Sequence, residues 1–329
     1  MNKPHALLLL PRLRVQNANA ISGPFSWGFP APSAFTGFVH ALSRRLPEAL
    51  GVDVHLDGVG VVCHEFEPQM AGGYVKSFCL TRNPNDENGN PPAFVEEGRT
   101  HFEVSLLVGV HGDSLFEFTP EELAAMAQQI LGLAQGQRLA GGSILASAPD
   151  YRHEPSLSIL PTDEDASRSY FRKLKRRLLP GFALVSRDDR LQQRLSELRA
   201  LVPESTALDA LLDLCALHWD CETSTDSNAV VWSIRQRRGW LVPLPVGYAA
   251  ISPLYDAGTV RNARDPTIPF RFVESVYSLG EWISPHRLDD PSRLLWYHQA
   301  DAEAGLYGCI NDYAVTEAPS LEIQQGVTT

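Results

Sequence analysis

The chain has 329 residues, 44% of them hydrophobic, and a formal net charge of −11, which is material for a core of ordinary size in one large or two small domains. The excess of acid argues against a protein coated in nucleic acid by bulk charge alone. No apolar run approaches the roughly 20 residues of a membrane span, and the five cysteines (Cys63, Cys79, Cys215, Cys221, Cys309) never fall at C-x-x-C spacing, so neither a disulfide framework nor a zinc ribbon is indicated.

The elements are clearest in the first 146 residues. Ala6 to Gln16 is strand-like, with Leu13 and Val15 on one side and Arg12, Arg14 and Gln16 on the other. Pro32-Ser33 opens a helix with Phe35, Phe38, Val39, Leu42 and Leu46 at helical spacing, and Pro47 is expected to end it. His55 to Cys63 is a second strand. Phe102, Val104, Leu106, Val108 and Val110 alternate strictly, as in a half-buried third strand. Thr119-Pro120-Glu121-Glu122 is a helix start with an N-cap, a proline at the first position and acids in the first turn. Arg138 to Leu145, containing Gly141-Gly142, reads as a last short strand. The order is βαββαβ, so the expected fold is α+β, ferredoxin-like or RRM-like. Between the second and third strands, about Phe66 to Gly98, lies a turn-rich insertion flanked by strand-prone runs, Tyr74 to Leu80 and Ala93 to Glu96. It predicts an extended hairpin projecting from the sheet. Such an arm usually contacts something.

Beyond Pro149 the pattern changes. Residues 151–317 predict a helical and mixed region packed on a first domain of residues 1–150, and 318–329 a polar, disordered tail. Helices are expected at Arg168 to Leu179, Leu191 to Leu201, Ala207 to Leu217 and Phe272 to Trp282, with a polar, mobile stretch from Asp220 to Asn228 and a loop at Arg261-Asn262-Ala263-Arg264. The Leu7 to Leu10 tetrad lacks signal-peptide surroundings, so a cytoplasmic protein without a membrane partner is expected.

The charge is segregated. Arg168, Arg172, Lys173, Lys175, Arg176 and Arg177 concentrate on one helix, with Phe171, Leu174 and Leu178 interleaved at helical spacing. Either a solvated face or a phosphate-binding face fits. The segment from Arg12 to Pro30 mixes Arg12, Arg14, Gln16, Asn17, Asn19, Trp27 and Phe29 with glycines. Guanidinium groups hold phosphates, amides read base edges and aromatics stack on unpaired bases; equally, such a loop can cap the core with its aromatics. Arg138 and the glycines after it suit either a backbone phosphate cradle or a plain turn. No phosphate loop, nucleophile elbow or H-E-x-x-H helix is present, so no catalytic set, metal or cofactor is expected. His40 alone stands as a candidate for activating a 2′-hydroxyl.

Longer blocks carry a resemblance. Leu8-Leu-Leu-Pro-Arg-Leu, Trp27-Gly-Phe-Pro, Ala34-Phe-Thr-Gly-Phe-Val-His-Ala-Leu42, Arg138-Leu-Ala-Gly-Gly-Ser-Ile-Leu145, Arg176-Arg-Leu-Leu-Pro-Gly-Phe-Ala-Leu-Val-Ser-Arg187, Val260-Arg-Asn-Ala-Arg-Asp265 and Gly280-Glu-Trp-Ile-Ser-Pro-His-Arg287 resemble the second Csy subunits of type I-F CRISPR surveillance complexes, the type I-F version of the Cas-five family. The resemblance runs from about residue 6 to residue 310 and is weakest at 146–165 and 220–230. It implies a non-catalytic RAMP-type subunit that holds the 5′ handle of the CRISPR RNA with the large Csy subunit, beside the first backbone subunit, with target DNA near the flanking motif as a further possible contact. It also implies that the insertion at 66–98 is a thumb pressing on the guide, making Lys76, Arg82 and Asn83 candidate contacts. Arg172, Lys173, Arg176, Arg177, Arg261, Asn262 and Arg264 join Arg138 and the Arg12 to Phe29 set as candidate RNA contacts. A metal-independent repeat endoribonuclease and a scaffold binding only protein are the alternatives.

Overall fold

The structure is a computed structural model that describes residues 3–82, 84–146, 153–223, 230–235 and 239–314; Asn83 and the tail at 318–329 lie outside them. The chain is mixed α+β, built on one large antiparallel sheet of 13 described strands with helices on both faces.

Strand β1 (Ala6–Asn19) is followed by a small hairpin, β2 (Ile21–Gly23) and β3 (Ser26–Trp27), then by helices α1 (Pro32–Ser43) and α2 (Leu46–Leu50). Pro47 does not end α1: the helix stops at Ser43, and the proline sits in the first turn of α2, where its missing N–H costs nothing. Strand β4 (His55–Ala71) runs eight residues beyond the expected end and carries the arm, β5 (Ser77–Arg82) and β6 (Phe94–Glu97), before β7 (Arg99–His111) returns along it. Helix α3 (Pro120–Gln135) starts with a full capping box: Glu122 N–H donates to Thr119 Oγ1 (3.3 Å) and Thr119 N–H to Glu122 Oε2 (2.8 Å). The expected last strand is instead a tight hairpin, β8 (Arg138–Leu139) and β9 (Gly142–Ile144), because Ala140 and Gly141 both take left-handed backbone (φ 49° and 77°) and reverse the chain in two residues. These strands lie in the order β4-β7-β1-β9-β8.

The remaining elements are β10 (Ser156–Ile159), α4 (Glu164–Arg177), β11 (Phe182–Ser186), α5 (Asp188–Leu201), α6 (Ala207–Cys215), the hairpin β12 (Trp219–Thr223) and β13 (Val230–Ile234), and β14 (Trp240–Ala250), β15 (Val273–Ile283), β16 (Trp296–Asp301) and β17 (Leu306–Asn311). The helix expected from Phe272 to Trp282 is strand β15. Its Val, Tyr and Leu spacing fits either period, and pairing on both edges, with β11 and β14, decides for the strand. The outer edge of β4 pairs with β16 at Val59 and with β11 at Val62 and Cys63, so β4, β11, β15, β14, β17 and β16 close a ring that curls around α1.

The core is layered. On one face Leu8, Leu10, Val61, Leu106 and Val108 pack with Phe35, Val39 and Leu42 of α1 and Ile130 of α3. On the other, Leu7, Leu9, Val62 and Leu107 meet Phe171, Leu174 and Leu178 of α4. Farther along that second face, Leu279 of β15 packs with Leu191 and Leu195 of α5 and Leu211 of α6. Glu281 is buried there, held by Arg187 and Arg287. No helix among the described residues is long and apolar enough to cross a membrane.

Candidate nucleic-acid interface

The lower half of β1 sets the geometry. Arg12 (φ 50°) and Asn17 (φ 58°) bulge out of register; the bulge at Arg12 moves Leu13 and Val15 onto the α1 face while turning Arg14 and Gln16 toward the α4 face, and the bulge at Asn17 brings Ala18 onto the α1 face. The helix α4 covers that face only over the upper half of the strand, so Arg14, Gln16 and Asn17 are exposed. Register places Gln16 opposite Ser143 of β9, and Ser143 opposite Arg138 of β8. One open face therefore carries Arg138, Ser143, Gln16 and Arg14. Arg138 Nη1 donates to Gly141 O (3.2 Å), and among the described residues neither Arg14 nor Arg138 meets a carboxylate.

Arg12 is occupied within the fold. Its Nη1 donates to Glu103 Oε1 (2.7 Å), its Nη2 reaches Leu179 O and Pro180 O (3.4 Å each), and its backbone N–H donates to Ser105 Oγ (3.1 Å). The carbonyls belong to the chain just after α4, so Arg12 pins the basic end of that helix beside the open face. His64 completes the joint. Its Nδ1 donates to Pro180 O (2.6 Å), its Nε2 accepts from Ser105 Oγ (2.7 Å), and burial, opposed by the bond to Pro180 and aided by the Arg12 charge, lowers its pKa and so favours the neutral ring. Composition offered no signal for His64, because its role depends on a loop 116 residues away.

On α4, Arg172, Lys173 and Arg176 are exposed and without a carboxylate partner among the described residues. Arg177 points back, donating to Ser156 Oγ (2.7 Å) and to Glu154 O. Lys175 donates to Leu288 O. The helix thus divides its cations between internal ties and solvent.

The loop after β1 behaves in two ways. Asn19 closes on itself, donating to Ile21 O (2.8 Å) and accepting from Ile21 N–H (3.1 Å). Phe29 stacks on Phe35 (5.6 Å, 11°) and meets Trp282 edge-on (4.9 Å), so it caps the core. Trp27 is part exposed and packs on Phe78 of the arm (5.5 Å). A Cβ on Gly98 would lie 2.7 Å from Ile21 and 2.9 Å from Trp27, so only glycine lets this loop clasp the root of the arm. On the arm, Lys76 is exposed in the turn before β5; Arg82 ends β5. Arg261, Asn262 (φ 59°) and Arg264 are exposed in the loop joining β14 to β15, apart from the β1 group in the strand order. An exposed pair that composition did not single out, Phe182 and Trp240, meets edge to face at 5.5 Å.

Catalytic groups are sparse among the described residues. His40 lies on α1, across the sheet from Arg14, with its ring 5.8 Å from that of His298. The Cys63 thiol is pushed up to about 12 by burial, with Glu103 and Glu65 adding to it, which makes it a poor nucleophile. No cluster of three metal-ligating side chains occurs among the described residues.

A basic, amide-rich strip on an open sheet face fits the class of proteins that engage nucleic-acid strands. Comparison with known proteins narrows this class. The family model for "CRISPR-associated protein (Cas_Csy2)" matches residues 8–309. The curated CRISPR-associated protein Csy2 of Pseudomonas aeruginosa (strain UCBPP-PA14) is 54% identical over 314 residues, covering 92% of this chain and 94% of that protein. The chain belongs to the Csy2 family of CRISPR-associated proteins, and so to the subunits of the type I-F Csy complex of antiviral defence.

Proposed function

We propose that the chain is a non-catalytic subunit that holds the 5′ handle of the CRISPR RNA, together with the large Csy subunit and beside the first backbone subunit. The observation that carries this is the open face of β8, β9 and β1, where Arg138, Gln16, Arg14 and Asn17 are presented together with the basic end of α4 pinned alongside by Arg12. Phosphates fit the guanidinium groups and unpaired base edges fit the amides. The strand order β4-β7-β1-β9 is the second, third, first and fourth strand of the βαββαβ series, which supports a ferredoxin-like core of the RAMP type. The arm from β4 to β6 supports a thumb role against the guide. His40, on the opposite side of the sheet, lies away from any RNA bound at the strip, which favours binding over cleavage.

The test is ultraviolet crosslinking and salt titration of handle-bearing RNA on the assembled complex. Arg14→Ala with Arg138→Ala, and separately Arg261→Ala with Arg264→Ala, are compared with the parent. Loss of RNA crosslinks to residues 12–19 and a salt slope flatter by about 0.7 for each phosphate contact removed is expected for the first pair. Unchanged affinity and slope would remove the strip from the site. Repeat RNA incubated with the protein in EDTA should remain uncut; cleavage that disappears in His40→Ala would replace binding with an endoribonuclease.

A further inference from the structure

The hairpin β12–β13 stands apart from the rest of the molecule. Among the described strands it pairs with no other, and every described residue of β13 is exposed. A lone two-stranded ribbon is only marginally stable in water, yet this one is amphipathic. Its register opposes Trp219 to Ile234 and Cys221 to Trp232 on one face, with Val230 on the same side, and Asp220 to Ser233 on the other, where Val231 is the one apolar residue. On the apolar face Trp219 is 55% exposed, Trp232 60%, Val230 58% and Ile234 47%. Two tryptophans and two branched aliphatics side by side in water are a cost that a monomer gains nothing from.

The root of the ribbon is tied to α5 and α6. Arg235 N–H donates to His218 O (2.9 Å), its guanidinium grips Asp220 through two bonds (2.6 and 3.1 Å), and His218 Nε2 donates to Asp213 O (2.9 Å). Asp213 in turn accepts from Arg194 of α5 (2.8 Å). These bonds anchor the base of the ribbon and leave its apolar face uncovered by α5 and α6. The charge around it identifies the kind of surface that would cover it. Between Glu204 and Arg238 the sequence has six carboxylates and three arginines; Asp213 and Asp220 at the root are paired with Arg194 and Arg235, and the exposed Glu204 and Asp209 leave the surround with an excess of acid. An acidic surround repels a phosphate backbone and favours a protein with cations at its rim.

We propose that the β12–β13 ribbon is a docking arm for a neighbouring protein subunit of the complex, one that presents an apolar groove edged by lysine or arginine, with Trp219 and Trp232 as its anchors. This rests on membership of a multisubunit assembly and is independent of where the guide handle binds.

Two measurements on the tagged full-length chain test it. Hydrogen exchange compares the free chain with the assembled Csy complex, and residues 219–223 and 230–234 should exchange more slowly in the complex. Native mass spectrometry on dilution compares parent and Trp219→Ser with Trp232→Ser. The double variant should release a protein subunit at concentrations at least about 30-fold higher than the parent does, the effect of losing one interfacial anchor. The exchange experiment uses only the parent chain, so it stands even if the variant folds poorly. Equal exchange in both states together with parent-like dilution behaviour would overturn the proposal. So would RNA crosslinks to the ribbon tryptophans, which would make it a nucleic-acid contact, or tryptophan-dependent dimerisation of the isolated chain, which would make the occupant a second copy. Crosslinks at residues 12–19 report separately on the handle, so the two proposals fail independently.

Discussion

The two halves of β1 face different surroundings. From Ala6 to Leu10 every residue is apolar and buried, with α1 and α3 over one face and α4 over the other. From Leu13 to Asn19 apolar and polar residues alternate until the second bulge, and only one face is covered. A strand buried on both sides has no side chain to spare for recognition, whereas a strand buried on one side offers every second position to solvent. The bulge at Arg12 is where one regime changes into the other, and Arg12 itself bonds to both strand and helix rather than facing outward.

That contrast can be broken at graded strengths. Leu10→Ala removes a wholly buried side chain from the two-sided half and should lower stability by about 2 to 5 kcal/mol in urea unfolding, leaving RNA affinity unchanged below the melting range. Arg12→Ala acts at the boundary. It strands Glu103 and two carbonyls, and should lower stability by about 1 to 3 kcal/mol while freeing the end of α4, seen as faster hydrogen exchange at 176–182. Thr119→Ala removes one half of the capping box of α3 and should lower stability by about 1 kcal/mol with no effect on RNA.

A pH titration probes the same sheet through His111, which with His64 is one of two imidazoles among the described residues whose pKa burial lowers. Burial, with the nearby rings of His55 and His5 adding to it, lowers the pKa of His111 below its ordinary value of 6.5, while Asp57 opposes them. The folded state therefore resists the proton that the unfolded chain accepts. Its contribution to stability is complete above pH 6.5 and is lost as pH falls through that value toward the lower folded pKa. Unfolding midpoints measured from pH 8 to pH 5 should decline over that interval, and His111→Gln should lose this part of the slope. The smallest effect on stability belongs to the one-sided half. Arg14→Ala with Arg138→Ala should change the unfolding free energy by less than about 0.5 kcal/mol, so any loss of RNA binding there would report contact rather than folding.

Much of the fold was legible because its signals are local. The alternation in β7, the proline-led start of α1 and the capping box of α3 each follow from a few neighbouring residues. The insertion after β4 was legible as an arm, although β4 extends to Ala71 and β5 starts only at Ser77. What escaped is non-local. Val273 to Ile283 has apolar spacing compatible with a helix, and only strands β11 and β14 on its two edges make it extended. The candidate site divides in the same way. Exposure of Arg14 and Gln16 follows from alternation along one strand. The withdrawal of Arg12 onto Glu103, the capping of the core by Phe29 and the inward turn of Arg177 depend on partners far away in the chain.

By itself the sequence determined the order of elements, the segregation of arginines into a few segments and the family to which the chain belongs, since periodicity, turn chemistry and residue blocks are properties of neighbours along the chain. Only the tertiary structure decided which cations face solvent and which are tied inside, and which strands share an edge. A side chain's availability depends on what packs against it, and packing partners are chosen by the whole fold.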